Sequence, residues 1–148
     1  LASLELLPLR FEIWVAGAIF ITSALWFARI DQETNDHWFN GFPAAWNLVV
    51  PSFLILDASP EMVMVISILL CTLQLTNIKI PHLVRVVWMR KLTLPLAVIY
   101  LMNLVSLSWS YSDNLGSQPN TLEIIILLGF PAYIAMISVQ RTWFKKSN

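Results

Sequence analysis

Five apolar runs, separated by short polar connections, organise the chain. They cover residues 13–28, 44–56, 62–78, 92–111 and 124–139. A helix needs about 20 apolar residues to cross the hydrocarbon core of a bilayer, and flanking aromatic and basic residues can extend a shorter run into the interface. Length alone leaves each run open as a membrane span or as a buried core helix. The pattern predicts an all-α protein.

The composition favours the membrane. Of the 148 residues, 57% are hydrophobic and 12% are charged, and the mean hydropathy is +0.69. A soluble domain carries about twice that charged fraction, so the apolar excess must face something other than water. We therefore predict a polytopic membrane helix bundle with about five transmembrane helices, in which residues 1–148 form one membrane part of a domain.

Basic residues are concentrated in alternate connections. If all five runs cross the membrane, Arg10 is the only one of the nine Lys and Arg residues that lies on its side. Those on the other side are Arg29, Lys79, Arg85, Arg90, Lys91, Arg141, Lys145 and Lys146. Cytoplasmic connections of membrane proteins are enriched in Lys and Arg. This asymmetry predicts that residues 29–41 and the C-terminus are cytoplasmic.

Several function classes find no support in the residues. The net charge is zero and no basic or acidic run occurs, which argues against a nucleic-acid partner. The single cysteine, Cys71, cannot form an intrachain disulfide. The sequence contains no Gly-rich phosphate loop, no nucleophile-elbow serine and no His-Glu-x-x-His. We therefore assign no catalytic residue and no metal ligand in this chain.

Residues 35–47, NDHWFNGFPAAWN, concentrate polar and aromatic side chains before the second run. Their polar groups can hydrogen-bond a substrate, and their rings can face a cation, for which a quaternary ammonium group is well suited. The candidate substrate-binding residues here are Asp36, Trp38, Phe39, Phe42, Trp46 and Asn47. The simpler alternative is an aromatic belt at the membrane boundary. Asn47 fits it least, because an amide one turn into a span is costly in lipid and should pack inward or toward a polar site.

A second polar cluster, residues 77–91, is basic and reads NIKIPHLVRVVWMRK. Its cations can hold the phosphates of a lipid or a nucleotide. The alternative is ordinary topogenic charge that binds anionic headgroups. Arg85 is the substrate-binding candidate of this cluster, because its spacing within HLVRVVW places it on an otherwise apolar helix face.

The segments FNGFPAAWNLVV and PHLVRVVWMRKLTLPL carry a family resemblance. They resemble the F-x-G-F-P-x-x-W-N and His-x-Val-Arg-Val segments of bacterial phosphatidylcholine synthases, a group within the CDP-alcohol phosphatidyltransferase family. The matching positions are Phe39, Gly41, Phe42, Pro43, Trp46, Asn47, His82, Val84, Arg85 and Val86, whereas Leu83 stands where proline is common. The resemblance covers essentially the whole chain but only the C-terminal part of a family member.

The resemblance implies an enzyme of phospholipid biosynthesis in the bacterial inner membrane, with CDP-diacylglycerol and choline as substrates and CMP as a product. The family's motif D-G-x-x-A-R, followed by G-x-x-x-D-x-x-x-D, holds a divalent cation, manganese or magnesium, and supplies the base. That motif is absent here. We therefore expect the catalytic carboxylates and metal ligands upstream of Leu1, and the chain alone to be inactive.

Alternatives stay open at this stage. The acceptor can be another alcohol such as serine, in a related phosphatidyltransferase. The chain can also belong to a non-catalytic membrane protein, such as a small transporter subunit. The oligomeric state is open as well, with a homodimer among the arrangements.

Overall fold

The computed structural model describes residues 6–113 and 118–144, which are mostly helical. The elements in chain order are α1 (Glu12–Ala28), β1 (Trp38–Asn40), α2 (Trp46–Ile55), α3 (Pro60–Gln74), β2 (Lys79–Pro81), α4 (Val87–Asp113) and α5 (Thr121–Val139). A π-helical turn, Gln140–Phe144, continues α5. The prediction of an all-α protein is confirmed only in its coarser form, a mostly helical fold, because two short strands also form. Lys145 and Lys146, which the charge pattern placed on the cytoplasmic side, lie outside the described residues.

Local capping signals set the starts of α3 and α5. The Ser59 side chain accepts a hydrogen bond from the Met62 amide, and Pro60 occupies the first turn of α3. Asn120 and Glu123 form a reciprocal capping box at the start of α5. Both helices therefore begin before the apolar runs from which they were predicted.

Helix α4 begins earlier than the apolar run indicated. It starts at Val87 and includes Arg90 and Lys91 in its first turns. Arg, Lys and Met have high helix propensity, so the positive charges do not delay the helix. Arg85 lies in the turn before α4. The prediction that Arg85 occupies a helix face is therefore wrong.

Two of the helices are long and apolar enough to cross a bilayer, by length and composition. They cover Val87–Tyr111 and Thr121–Phe144, with mean hydropathies of 1.7 and 2.2. Helices α1, α2 and α3 have 17, 10 and 15 residues. At 1.5 Å per residue, α2 is about 15 Å long, about half the thickness of the hydrocarbon core. The prediction of about five transmembrane helices is not confirmed.

The helices pack in pairs around small buried clusters. Helix α1 packs on α3, α4 packs on α5, and α2 contacts α4. The first cluster includes Val15, Phe53 and Val63, and the second includes Tyr100, Leu104 and Leu127. A third cluster contains Trp38, Val86, Met89 and Ile137. It lies beneath the sheet.

The two strands form an antiparallel sheet that the sequence analysis did not predict. Trp38 pairs with Pro81, Phe39 with Ile80, and Asn40 with Lys79. The ends of α1, α3 and α5 and the start of α4 meet at this sheet, through contacts such as the 3.1 Å hydrogen bond from Trp26 Nε1 to the Asn40 carbonyl. We call this end of the molecule the sheet end.

Candidate functional site

Residues 29–41, here called the polar loop, connect α1 to the chain before α2 and lie at the sheet end. The Thr34 amide donates to the Trp38 carbonyl at 2.8 Å, and the Trp38 amide donates to Thr34 Oγ1 at 3.0 Å. His37 closes this turn with a φ of +65°, in the left-handed region. The turn directs the Trp38 side chain inward, where it is 1% exposed.

Gly41 allows the loop to cross closely over the end of α3. Its amide donates to the Ile78 carbonyl at 2.9 Å, and the Phe42 amide donates to the Leu73 carbonyl at 3.1 Å. A Cβ on Gly41 would lie 2.5 Å from the Gln74 carbonyl oxygen, and the φ is +83°. Both observations require glycine at this position.

Arg29 joins the start of the loop to the end of α3. Its guanidinium forms two hydrogen bonds with the Asp31 carboxylate, at 3.0 and 2.9 Å. It also donates to the Thr76 carbonyl at 3.0 Å and to Asn77 Oδ1 at 2.7 Å. The hydrogen bond with Asp31 raises the pKa of Arg29 and lowers that of Asp31. Both groups stay charged at neutral pH.

Glu33 is held between two basic side chains. His37 Nδ1 donates to Glu33 Oε1 at 2.7 Å, and the Arg85 guanidinium reaches both carboxylate oxygens, at 3.2 and 2.9 Å. The hydrogen bond from His37, supported by those from Arg85, lowers the pKa of Glu33. The Arg85 side chain is 56% exposed, so this ion pair contributes little to stability.

Asp36 lies between Thr34 and the C-terminal turn. Thr34 Oγ1 donates to Asp36 Oδ1 at 2.6 Å, and Arg141 donates to Asp36 Oδ2 at 2.5 Å. Burial by itself raises the pKa of Asp36, but these hydrogen bonds and the charge of Arg141 outweigh it and lower the pKa below its ordinary value. The Arg141 guanidinium also lies over the Trp38 ring, 5.7 Å from its centroid.

The remaining aromatic candidates are half-buried and form two ring contacts. Phe39 lies against His82 with 5.1 Å between the ring centroids. Phe42 and Trp46 meet edge to face at 6.3 Å, and Trp46 Nε1 donates to Ser23 Oγ at 3.1 Å. The predicted residues are therefore divided between these two ring pairs and the inward-facing Trp38.

Asn47 lies apart from the loop candidates, on an open groove of about 500 Å³ between α2 and α4. Its side chain is exposed. Pro51, Leu104, Ser108 and Trp109 are among the other lining residues. Asn47 was predicted to pack inward or toward a polar site. The structure leaves it exposed, at a groove whose lining includes the hydroxyl group of Ser108.

Sequence comparison finds relatives that share one name. The chain is 32% identical over 145 residues to the phosphatidylcholine synthase of Pseudomonas aeruginosa, covering 93% of this chain and 57% of that protein. It is 32% identical over 144 residues to the phosphatidylcholine synthase of Legionella bozemanae, covering 94% and 64%. The chain is therefore similar to phosphatidylcholine synthases along almost its whole length. Borreliella burgdorferi has a further relative with this name, 26% identical over 140 residues, covering 94% of this chain and 58% of that protein.

The chain spans about three fifths of the length of these relatives, namely 57%, 64% and 58%. It corresponds to a C-terminal part of a phosphatidylcholine synthase, as the resemblance implied. No family model matches the chain, and no solved structure matches it. Residues 39–50, which carry the family resemblance, include Gly41. This segment therefore also makes the close contact with the end of α3.

The acidic residues of the polar loop do not suit the divalent cation that the phosphatidylcholine synthase family implies. Asp31, Glu33 and Asp36 are each paired with an arginine. Within residues 6–113 and 118–144, no three His, Cys, Asp or Glu side chains gather as a metal site. A cation there would compete with guanidinium groups that already occupy the carboxylates. We derive no metal-dependent step from this part of the family fold.

Sequence reasoning missed the partners of the loop carboxylates. It treated Arg29 and Arg141 only as topogenic charges and left Glu33 unassigned. Arg141 and Asp36 are 105 residues apart, so no local spacing relates them. The predicted topology could have indicated this pairing, because it placed Asp36 and Arg141 on the same side of the membrane.

Proposed function

We propose that this chain is the C-terminal membrane part of an enzyme that transfers a phosphatidyl group from CDP-diacylglycerol to choline, giving phosphatidylcholine and CMP. The observation that carries the proposal is the similarity to phosphatidylcholine synthases along 93% and 94% of the chain. The catalytic carboxylates and their manganese or magnesium ion belong, in this proposal, to the part of the relatives that the chain does not match.

The proposed location is the inner membrane of a bacterium, with several crossings and the sheet end in the cytoplasm. Large apolar side chains exposed along the helices support lipid contact, because soluble proteins rarely expose so much apolar surface to water. Examples are Ile13, Phe20, Met102, Val105, Ile125 and Met136. Arg29, Lys79, Arg85 and Arg141 meet at the sheet end, in agreement with a cytoplasmic face.

The predicted substrate residues take two roles in this proposal. Phe39, Phe42 and Trp46 are partly exposed and offer ring faces to the trimethylammonium group of choline, while Asn47 offers an amide. Asp36, Trp38 and Arg85 act on the substrate through the loop, because their polar groups or rings already contact other residues. The loop would then border the site that the upstream carboxylates complete.

The deciding experiment uses membranes carrying the chain within its full natural gene product. CDP-diacylglycerol, manganese and labelled choline are supplied, and labelled phosphatidylcholine and CMP are measured. We expect label in phosphatidylcholine, and none from the isolated chain. Incorporation of labelled serine in place of choline would move the protein to a related transferase. No incorporation of any alcohol by a membrane-inserted protein would favour a non-catalytic role.

The role of the loop rings is tested in the same assay by replacing Phe with Leu at position 42 and, as a control, at position 20. Phe42→Leu keeps apolar volume but removes the ring, and we expect the KM for choline to rise about tenfold, as loss of a partly desolvated cation–π contact implies. Phe20→Leu removes a 75% exposed ring on α1 and serves as the control. An equal KM in the two variants would contradict choline binding at Phe42.

A further inference from the structure

The C-terminal end of α5 lies against the sheet. Residues Gln140–Phe144 form a π-helical turn, a feature frequently found at functional sites. In this turn, Thr142 Oγ1 accepts a hydrogen bond from the Lys79 amide of β2 at 2.9 Å. The chain beyond α5 is thereby fixed to the strand that pairs with the polar loop.

The same turn places Arg141 on the loop. Its side chain is 15% exposed, donates to Asp36 and covers the Trp38 ring. We call these three residues the Arg141 cluster. A guanidinium group suits this position because it can bond a carboxylate and stack on an aromatic ring at once, which an ammonium group does less well.

Within residues 6–113 and 118–144, two arginines outside the loop pair with its carboxylates beyond Asp31, and Arg141 is the less exposed of the two. The other contact, Arg85 with Glu33, has its cation 56% exposed, and exposed pairs contribute little. Arg29 fixes only the beginning of the loop, at Asp31. Trp38 also packs against Ile137 of α5. Arg141 adds the charged contact between α5 and the segment from Thr34 to Trp38.

We propose that Arg141 is a positioning residue, which fixes the polar loop against α5 and thereby sets the affinity for choline. The effect on choline rests on the function proposed above, whereas the effect on the loop does not. Arg141 touches no substrate in this scheme. It acts through Asp36 and Trp38 on Phe39 and the ring pair that follows it in the chain.

The test separates loop order from activity. A nitroxide label is attached to Asn35→Cys in the full-length protein, in a background where Cys71→Ser and any other cysteine replacements leave no second thiol. We expect Arg141→Gln to shorten the rotational correlation time of the label at least about twofold. In the unlabelled enzyme, we expect the KM for choline to rise about tenfold with kcat within about twofold of the parent.

Two further variants sharpen the result. Arg141→Lys keeps the charge but loses the planar group, so its label mobility should lie between those of the parent and Arg141→Gln. Arg90→Gln removes an exposed cation at the same end, which forms no ion pair within residues 6–113 and 118–144, and should resemble the parent.

Each result decides one part of the proposal. Label mobility in Arg141→Gln that equals that of the parent would overturn it. A mobile loop with unchanged KM would keep Arg141 as the residue that fixes the loop and overturn its effect on choline. An enzyme that uses no choline in any variant would overturn the proposed function alone, because the mobility measurement does not require turnover.

Discussion

At the scale of single residues, the structure requires glycine at position 41 but not at position 129. The tetrapeptide Gly-Phe-Pro-Ala occurs at residues 41–44 and again at 129–132. A Cβ at Gly41 would meet the Gln74 carbonyl at 2.5 Å, whereas one at Gly129 would meet nothing within 4 Å. The same tetrapeptide therefore needs its glycine at the first position and can replace it at the second.

We expect Gly41→Ala to lower the free energy of unfolding by about 3 kcal/mol, because it adds a backbone clash to a left-handed φ. Gly129→Ala lies within α5 and should be neutral or stabilising by up to about 1 kcal/mol. Thermal unfolding of the detergent-solubilised protein measures both. Equal unfolding temperatures for the two variants would contradict the close crossing at residue 41.

The lowered pKa of Asp36 gives a pH-dependent prediction. A carboxyl group whose pKa is lowered by folding contributes stability above its unfolded pKa, ordinarily 3.8, and loses it as the pH falls through the folded value. We expect Asp36→Asn to unfold at a lower temperature than the parent at pH 7. The difference should shrink steadily below about pH 4. A difference that grows toward acid pH would contradict the ion pair with Arg141.

At the scale of elements, hydrophobic patterning located the five α-helices of the described residues but did not predict the sheet that joins their ends. The runs 13–28 and 124–139 became α1 and α5 with small shifts. Strands β1 and β2 have three residues each, too short for an alternating pattern to identify. They exist because Gly41 and the turn at His37 bring two distant segments together, and that contact is tertiary.

A partly buried polar contact joins α1, α2 and α3. Ser23 Oγ accepts hydrogen bonds from Trp46 Nε1 at 3.1 Å and Gln74 Nε2 at 3.4 Å. We expect Ser23→Ala to lower the free energy of unfolding by about 1 kcal/mol, because both donors lose their acceptor in a partly buried position. Trp46→Phe removes one donor, so the double variant should lose less than the sum of the single losses.

The exposed Ser106 on α4 offers a matched substitution for this contact. Ser106→Ala should change the unfolding temperature little. If Ser23→Ala behaves like Ser106→Ala, or if the double variant is strictly additive, the three helices do not depend on this hydrogen-bonded serine.

At the scale of the whole molecule, the distribution of basic residues predicts an orientation across the membrane, which helix length cannot do. The loop cations predicted to share one side do meet at the sheet end, through Arg29, Arg85 and Arg141. Which side of the membrane this is could be predicted only from the rule for basic residues. The short α2 shows that a count of apolar runs does not by itself give the number of crossings.

Orientation is tested with single cysteines at the two ends of the α4–α5 pair, in full-length protein carrying Cys71→Ser and no other thiol. Gln118→Cys lies in the connection between α4 and α5, and Asn35→Cys lies at the sheet end. In intact spheroplasts, we expect a membrane-impermeant maleimide to label position 118 and to reach position 35 only after permeabilisation. Labelling of both positions in intact cells would mean that α4 and α5 do not cross. The reverse pattern would place the sheet end outside and contradict the proposed cytoplasmic location of this end.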